Sequence, residues 1–332
     1  MRQFAHSENK QVNPVLLEVL LFLIWLAVLS LAADRFVYGA AALAKNFGIS
    51  PMIIGLTIIA MGSSAPEIMV SATASLDGKA DTAIGNALGS NITNIALVLG
   101  LTALLKPLII ASSTLKRELP VLLILSLLAT YMLSDLVLSR IEGVILISLF
   151  VLFIGGLVWQ SLHSEVGDPL IAESESEIPT NVPTYKAIIW LLIGLVMLPL
   201  SASYMVDSAV IIAKSLGLSD LVIGLTIIAV GTSLPELAAS VAGVLKNEDD
   251  MALGNIIGSN IFNILAVMAM PGLIAPGVID ENAAYRDIYI MLALNFLLLL
   301  FSFNFSGKRR INRLEGLALI GCFVGYQFVL FG

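Results

Sequence analysis

A chain of 332 residues that is 58% hydrophobic and only 12% charged, with a mean hydropathy of +0.97, is no ordinary soluble domain, which is about 45–50% apolar and about 25% charged. Its formal charge of −7 says little about partners, because much of it lies in one acidic stretch. The single Cys322 excludes an internal disulfide framework, and His6 and His163 fall outside the apolar segments, so no cysteine or histidine metal centre and no Ser–His dyad is available within a membrane.

Residues 1–13 form a polar tail, and 15–33 is the first apolar run. At about 20 residues it can cross a bilayer and exceeds the usual signal-peptide core. Further spans are expected at about 51–76, 82–105, 119–138 and 141–160, then at about 186–213, 220–245, 251–274, 287–305 and 312–331, ten in all. The segment 161–184 carries Glu165, Asp168, Glu173, Glu175 and Glu177 with Pro169, Pro179 and Pro183. It reads as an acidic, flexible linker between a first half, 1–160, and a second, 185–332. It lacks the acidic spacing and turn glycine of a calcium loop. Loops after odd-numbered spans hold Arg35, Lys45, Lys106, Lys116, Arg117, Lys186, Lys246, Lys308, Arg309, Arg310 and Arg313, 11 of the 17 basic residues. Positive loops stay in the cytoplasm, so the linker is expected inside and both termini outside a cell membrane.

The chain contains one block twice. Shifted by 169, residues 51–101 align with 220–270 without a gap, and 24 of the 51 positions are identical. Gly62-Ser63-Ser64-Ala65-Pro66-Glu67 becomes Gly231-Thr232-Ser233-Leu234-Pro235-Glu236. The shift covers five crossings, an odd number, so the second copy enters from the opposite side. That makes an all-α polytopic membrane protein of two inverted five-helix repeats, an architecture of secondary transporters that hold substrate where the repeats meet.

Each copy places a carboxylate, Glu67 or Glu236, inside apolar sequence, where an ionisable group is costly and marks function. Pro66 and Pro235 free backbone carbonyls beside it. Ala60, Ser63, Ser64 and Glu67 fall at i, i+3, i+4 and i+7, one helix face, as do Ala229, Thr232, Ser233 and Glu236. These oxygens suit Na⁺, Ca²⁺ or Mg²⁺; a plain proline kink is the bland alternative. The next spans carry Asn86, Ser90 and Asn94 as an i, i+4, i+8 stripe, mirrored by Asn255, Ser259 and Asn263. Interhelical hydrogen bonding competes with ion binding as their role and is preferred for Asn86 and Asn91. Gly85/Gly89 and Gly254/Gly258 are expected to let helices approach closely. Asp81 and Asp250 are expected as helix N-caps, and Asp207 as an accessory acid.

On these residues the chain resembles the calcium/cation antiporter superfamily, in its prokaryotic sodium/calcium exchanger-like branch. Its G-[ST]-S-x-P-E and G-N-x-x-G-S-N-I-x-N blocks look like that family's two alpha repeats. The resemblance implies cation ligands at Glu67, Ser64, Asn94 and Ser90, with Glu236, Ser233, Asn263 and Ser259 opposite. Ser63, Thr232 and the Ala60 and Ala229 carbonyls would complete sodium sites. It implies Na⁺/Ca²⁺ exchange by alternating access, with the two ions as substrates, no cofactor, no enzymatic activity, and no partner beyond membrane lipid. Relatives that carry Asp at the place of Asn94 or Asn263 differ here, which weakens K⁺ co-transport. A Ca²⁺/H⁺ antiporter is the alternative, with Glu67 and Glu236 releasing protons as Ca²⁺ binds; a non-transporting membrane sensor or scaffold built on the acidic linker is a third reading.

Overall fold

The computed structural model describes residues 14–49, 51–110, 117–163, 182–217, 229–302 and 310–331. The polar tail, nearly all of the acidic linker and the start of the second repeat lie outside these residues. What is described is almost entirely helical. Seven helices are long and apolar enough to cross a membrane, and a bent pair, Gly55–Ser63 with Ala65–Leu76, makes an eighth. Two shorter apolar helices, Leu119–Leu133 and Leu234–Leu245, lie within the expected fourth and seventh spans.

α1 (Pro14–Phe47) is 34 residues long, about 51 Å at 1.5 Å per residue. The expected first span ended at 33, and the helix overruns it by 14 residues. Arg35 and Lys45 are therefore helical, a correction to their expected place in a loop. The extension holds because its polar side chains find partners: Arg35 pairs with Asp34 at 3.7 Å and lies over the Trp190 ring at 5.0 Å. α1 packs antiparallel on its counterpart in the second half, Thr184–Ser215. Trp25 stacks on Tyr204 at 4.6 Å, Phe36 meets Gly194, and Gly39 meets Ala187. A Cβ at Gly39 would stand 2.7 Å from the Ala187 carbonyl oxygen, so glycine permits this backbone approach.

The second span is broken. α2 (Pro51–Ile54), a π-helical turn at Gly55–Ile59 and α3 (Ala60–Ser63) lead to Ser64, whose ψ of 5° leaves the helix. α4 (Ala65–Leu76) then departs at 50°. Pro66 sits in the first turn of α4, where a missing N–H removes no helical bond. The third span is α5 (Ala80–Thr93), a π-turn at Asn94–Leu99 and α6 (Gly100–Leu105). β1 (Leu108–Ile109), α7 (Leu119–Leu133), β2 (Val137–Leu138) and α8 (Arg140–His163) complete the first half. The second half runs α9 (Thr184–Ser215), α10 (Ala229–Thr232), α11 (Leu234–Leu245), α12 (Asp249–Phe262), a π-turn at Asn263–Val267 and α13 (Ala269–Ile274). It ends with β3 (Gly277–Val278), α14 (Ile288–Ser302), β4 (Arg310–Ile311) and α15 (Arg313–Phe331).

The short strands join the halves: β1 pairs antiparallel with β4, and β2 with β3. Bonds between connecting segments keep strict sides. Lys106, after the third span, bonds to the Val244 carbonyl, Asn247 and Asp249 after the seventh. Asn46, in the last turn of α1, donates to the Val182 carbonyl and Thr184. On the other side Asp81 accepts from the Asp280 amide and Leu136 from Ile279. Odd segments meet odd and even meet even, as ten alternating crossings require.

Repeat symmetry extends beyond the aligned block, in a shifted register. Arg140-Ile141-Glu142-Gly143 matches Arg313-Leu314-Glu315-Gly316 at an offset of 173. Both glutamates cap the same way, Glu142 accepting from the Ser139 amide and Glu315 from the Asn312 amide, each at 2.7 Å. Two residues 169 apart also touch: Asn295 Nδ2 donates to Ser126 Oγ at 2.8 Å.

The N-cap expectations fail. α5 is capped by Lys79 and α12 by Glu248, with no side-chain cap bond in either. Asp81 instead binds the Asp280 amide across a loop, and Asp250 lies within the first turn of α12. The long-range acceptor role at Asp81 and the helix starting one residue before each acid explain the difference. Glycine packing holds in the second copy alone among the described residues. A Cβ on Gly258 would stand 2.7 Å from Ala60 Cβ and 2.9 Å from Leu56 Cα, whereas no described residue stands within 4 Å of a Cβ on Gly85 or Gly89. The first-copy strip Leu56–Ala60 that faces Gly258 has its second-copy counterpart partly in 218–228, outside the described residues. Asp207 is exposed on α9.

Candidate ion site at the repeat junction

The two helix breaks and the two π-turns bring the repeated motifs into the centre of the bundle. Every residue of α12 from Met251 to Phe262 is buried, which makes it the helix against which the first-copy break packs. Gly62 and Gly231 serve a second contact, with α9. A Cβ at Gly62 would reach Leu195 Cδ1 at 2.5 Å, and one at Gly231 would collide with Val206, both on α9. These two glycines are where the broken helices lie against α9.

Glu67, Glu236, Ser63, Ser64, Ser259, Asn94 and Asn263 are all fully buried, and Ser90 and Ser233 nearly so. Thr232 is half-buried. Hydrogen bonds cross between the copies. Ser64 Oγ donates to Glu236 Oε1 at 2.9 Å. Ser63 Oγ donates to Asn255 Oδ1 at 3.1 Å and lies 3.4 Å from Ser259 Oγ. Asn255 Nδ2 donates to the Glu236 carbonyl at 3.1 Å, and Asn86 Nδ2 to the Glu67 carbonyl at the same distance. Asn86 and Asn255 therefore fill the interhelical role, steadying the backbone of each glutamate. Asn91 does so too, bonding to the Asn260 carbonyl at 3.3 Å.

What remains has no protein partner. Both carboxylate oxygens of Glu67, Glu236 Oε2, both amide ends of Asn94 and of Asn263, and Ser233 Oγ are buried without a hydrogen bond. Leaving one such group unmade costs about 1–3 kcal/mol, more when charged, so eight of them on the two repeated motifs are not a packing accident. The free oxygens are hard donors, and the carboxylates number two. Three of these oxygens belong to carboxylates and three are neutral, with no sulfur or imidazole among these residues. Such a set can replace the hydration shell of Na⁺, Ca²⁺ or Mg²⁺.

Some expected ligands are otherwise engaged. The Ala60 carbonyl accepts the Ser64 amide at 2.9 Å and Ser63 Oγ at 3.3 Å. Sequence reading passed over Ser240, which accepts Asn255 Nδ2 at 2.8 Å, and the Ser126–Asn295 pair. The signal at Ser126 and Asn295 was present: two polar residues in apolar spans, separated by the repeat interval.

The sequence profile of the sodium/calcium exchanger protein family matches residues 17–159 and 186–332. A protein named CaxA from Alkalimonas amylolytica is 57% identical over 317 residues, covering 96% of this chain and 99% of its own. Sodium/calcium exchanger MaX1 of Methanosarcina acetivorans is 30% identical over 345 residues, covering 94% and 98%. A solved structure of the sodium-calcium exchanger NCX_Mj, soaked with zero Na⁺ and Ca²⁺, superposes with a TM-score of 0.81 at 34% identity, covering 95% of this chain and 99% of that one.

Proposed function

Starting from the fact that the chain belongs to the sodium/calcium exchanger protein family, we propose that it exchanges Na⁺ for Ca²⁺ at the junction of its two repeats. One observation carries the reading: eight buried, unpartnered polar atoms, six of them oxygens, lie on the repeated motifs of both copies. Glu67 and Glu236 supply two negative charges, which balance one dehydrated Ca²⁺ in a medium where an uncompensated ion is expensive. Asn94 and Asn263 supply carbonyl oxygens without charge, and Ser64, Ser233, Ser90 and Ser259 supply hydroxyl oxygens. Ser63 and Thr232, with the Ala229 carbonyl, extend the set toward the monovalent ions. Because Ca²⁺ and Na⁺ draw on the same oxygens, they compete, and a site open to one side at a time couples their movements.

Family members named as exchangers support the class, and the oxygen-rich neutral part of the site supports Na⁺ as the coupling ion. The excess of basic residues in odd-numbered connecting segments supports a cell-membrane orientation with the linker inside and both termini outside. The test is uptake of radiolabelled Ca²⁺ into proteoliposomes under imposed gradients. An inside-high Na⁺ gradient should drive uptake. If it drives none while a proton gradient does, Ca²⁺/H⁺ antiport replaces this reading.

A further inference from the structure

The two halves place an equivalent acid at the head of an equivalent helix, and only one of the two has side-chain donors on both carboxylate oxygens. Glu118 and Asp287 are 169 apart, each following an arginine and preceding α7 or α14. Asp287 is satisfied: Arg286 Nε reaches its Oδ1 at 2.8 Å, Arg286 Nη2 its Oδ2 at 3.2 Å, and the Tyr326 hydroxyl donates to Oδ1 at 3.2 Å. Under the offset of 173 that matches α8 to α15, the counterpart of Tyr326 is Phe153. The hydroxyl is absent there. Glu118 is 7% exposed, and its Oε2 is buried without a hydrogen-bond partner.

That carboxylate lines a cavity of about 400 Å³ between α7 and α8. Val121, Leu152, Phe153 and Leu157 form apolar walls, and Arg117, Glu118 and Trp159 complete the lining with Gly156. Leu152 is 69% and Trp159 65% exposed, on the outer face of helices too apolar to face water. The cavity thus opens toward lipid at the end of a span, the depth at which tryptophan anchors and headgroups lie. Its inventory is an apolar trough, a buried acceptor that needs an N–H or O–H donor, and a guanidinium.

We propose that this cavity holds a phospholipid with a primary ammonium headgroup, such as phosphatidylethanolamine. Its ammonium donates to Glu118, Arg117 pairs with its phosphate, and an acyl chain follows the trough along α8. A quaternary choline head has no N–H to donate and leaves Glu118 as it is. A charge-assisted hydrogen bond is the discriminating element.

The test uses the purified full-length protein, challenged with equimolar phosphatidylethanolamine and phosphatidylcholine of identical acyl chains and read by native mass spectrometry. The wild type should retain the ethanolamine lipid over the choline lipid by about tenfold, the worth of one hydrogen bond to a charged group. Phe153→Tyr supplies the hydroxyl that Tyr326 supplies opposite, and it should abolish that preference. Glu118→Ala should abolish it as well. Equal retention of both lipids by the wild type overturns the proposal, and so does a preference that survives either substitution.

Discussion

Ser64 Oγ donates to Glu236 Oε1 at 2.9 Å, while the mirror-image contact, Ser233 to Glu67, is not made. Ser233 Oγ and both Glu67 oxygens stand unpartnered. Two repeats of nearly the same motif are therefore in different local states. An inverted-repeat transporter facing one side of the membrane requires such a difference, since exchanging the states of the repeats exchanges the side that is open.

The two glutamates should be indispensable separately. Glu67→Gln or Glu236→Gln leaves one charge against a desolvated divalent ion, and each should abolish Ca²⁺ transport. Both variants should still insert and express, because neutralising a charge within the membrane lowers its burial cost. Radiolabelled Ca²⁺ flux in proteoliposomes decides; near-normal exchange in either variant removes that residue from the site.

Asn263→Asp adds a third carboxylate among the orphaned oxygens. With Ca²⁺ bound the site then carries excess negative charge, which a proton or a further monovalent cation offsets. Ca²⁺ flux should become sensitive to pH or to K⁺, whereas Asn263→Ala should lose affinity and gain neither sensitivity. Flux measured with and without K⁺ across about pH 6 to 8 separates these outcomes. A flat profile in an active Asn263→Asp protein places this side chain away from the ions.

Gly258 is where α12 meets the first-copy break. A Cβ there would stand 2.7 Å from Ala60 Cβ and 2.9 Å from both Leu56 Cα and the Leu56 carbonyl oxygen. Backbone cannot move aside as a side-chain tip can, so Gly258→Val should destabilise by about 1–3 kcal/mol, the usual range for overpacking. Thermal unfolding in detergent should show a lower midpoint, accompanied by reduced transport. An unchanged midpoint would mean that the two backbones separate freely.

Glu248, in the turn between α11 and α12, is buried. Burial, with Asp250 and Asp249 adding to it against the opposing Lys246, pushes its carboxyl from the ordinary 4.5 up to about 7. The folded protein then holds a proton across this window that the unfolded chain has released. Stability should fall as pH rises from about 4.5 to about 7. Glu248→Gln should flatten that dependence in melting curves taken across the window, and parallel curves for variant and wild type would contradict this assignment.

Much of this was legible from residue order alone. Apolar runs of membrane length dictate helices, because backbone groups in hydrocarbon must bond within their own segment. An interval of 169 covering an odd number of crossings dictates inversion. Glu67 and Glu236, flanked by proline and hydroxyl residues inside those runs, announced a site through the cost of placing charge there. Tertiary structure decided which polar groups bond to protein and which are left over, since that depends on what the opposite repeat presents. It engaged the Ala60 carbonyl, set Asn86 and Asn255 on the glutamate backbones, and left Asn94 and Asn263 unpartnered. It moved Asp81 from a helix cap to a contact with the Asp280 amide, a partner 199 residues away. It also showed that Phe153 stands where a tyrosine hydroxyl serves the other half, because that equivalence follows the 173-residue register of the last helix in each half and not the 169-residue interval of the motifs.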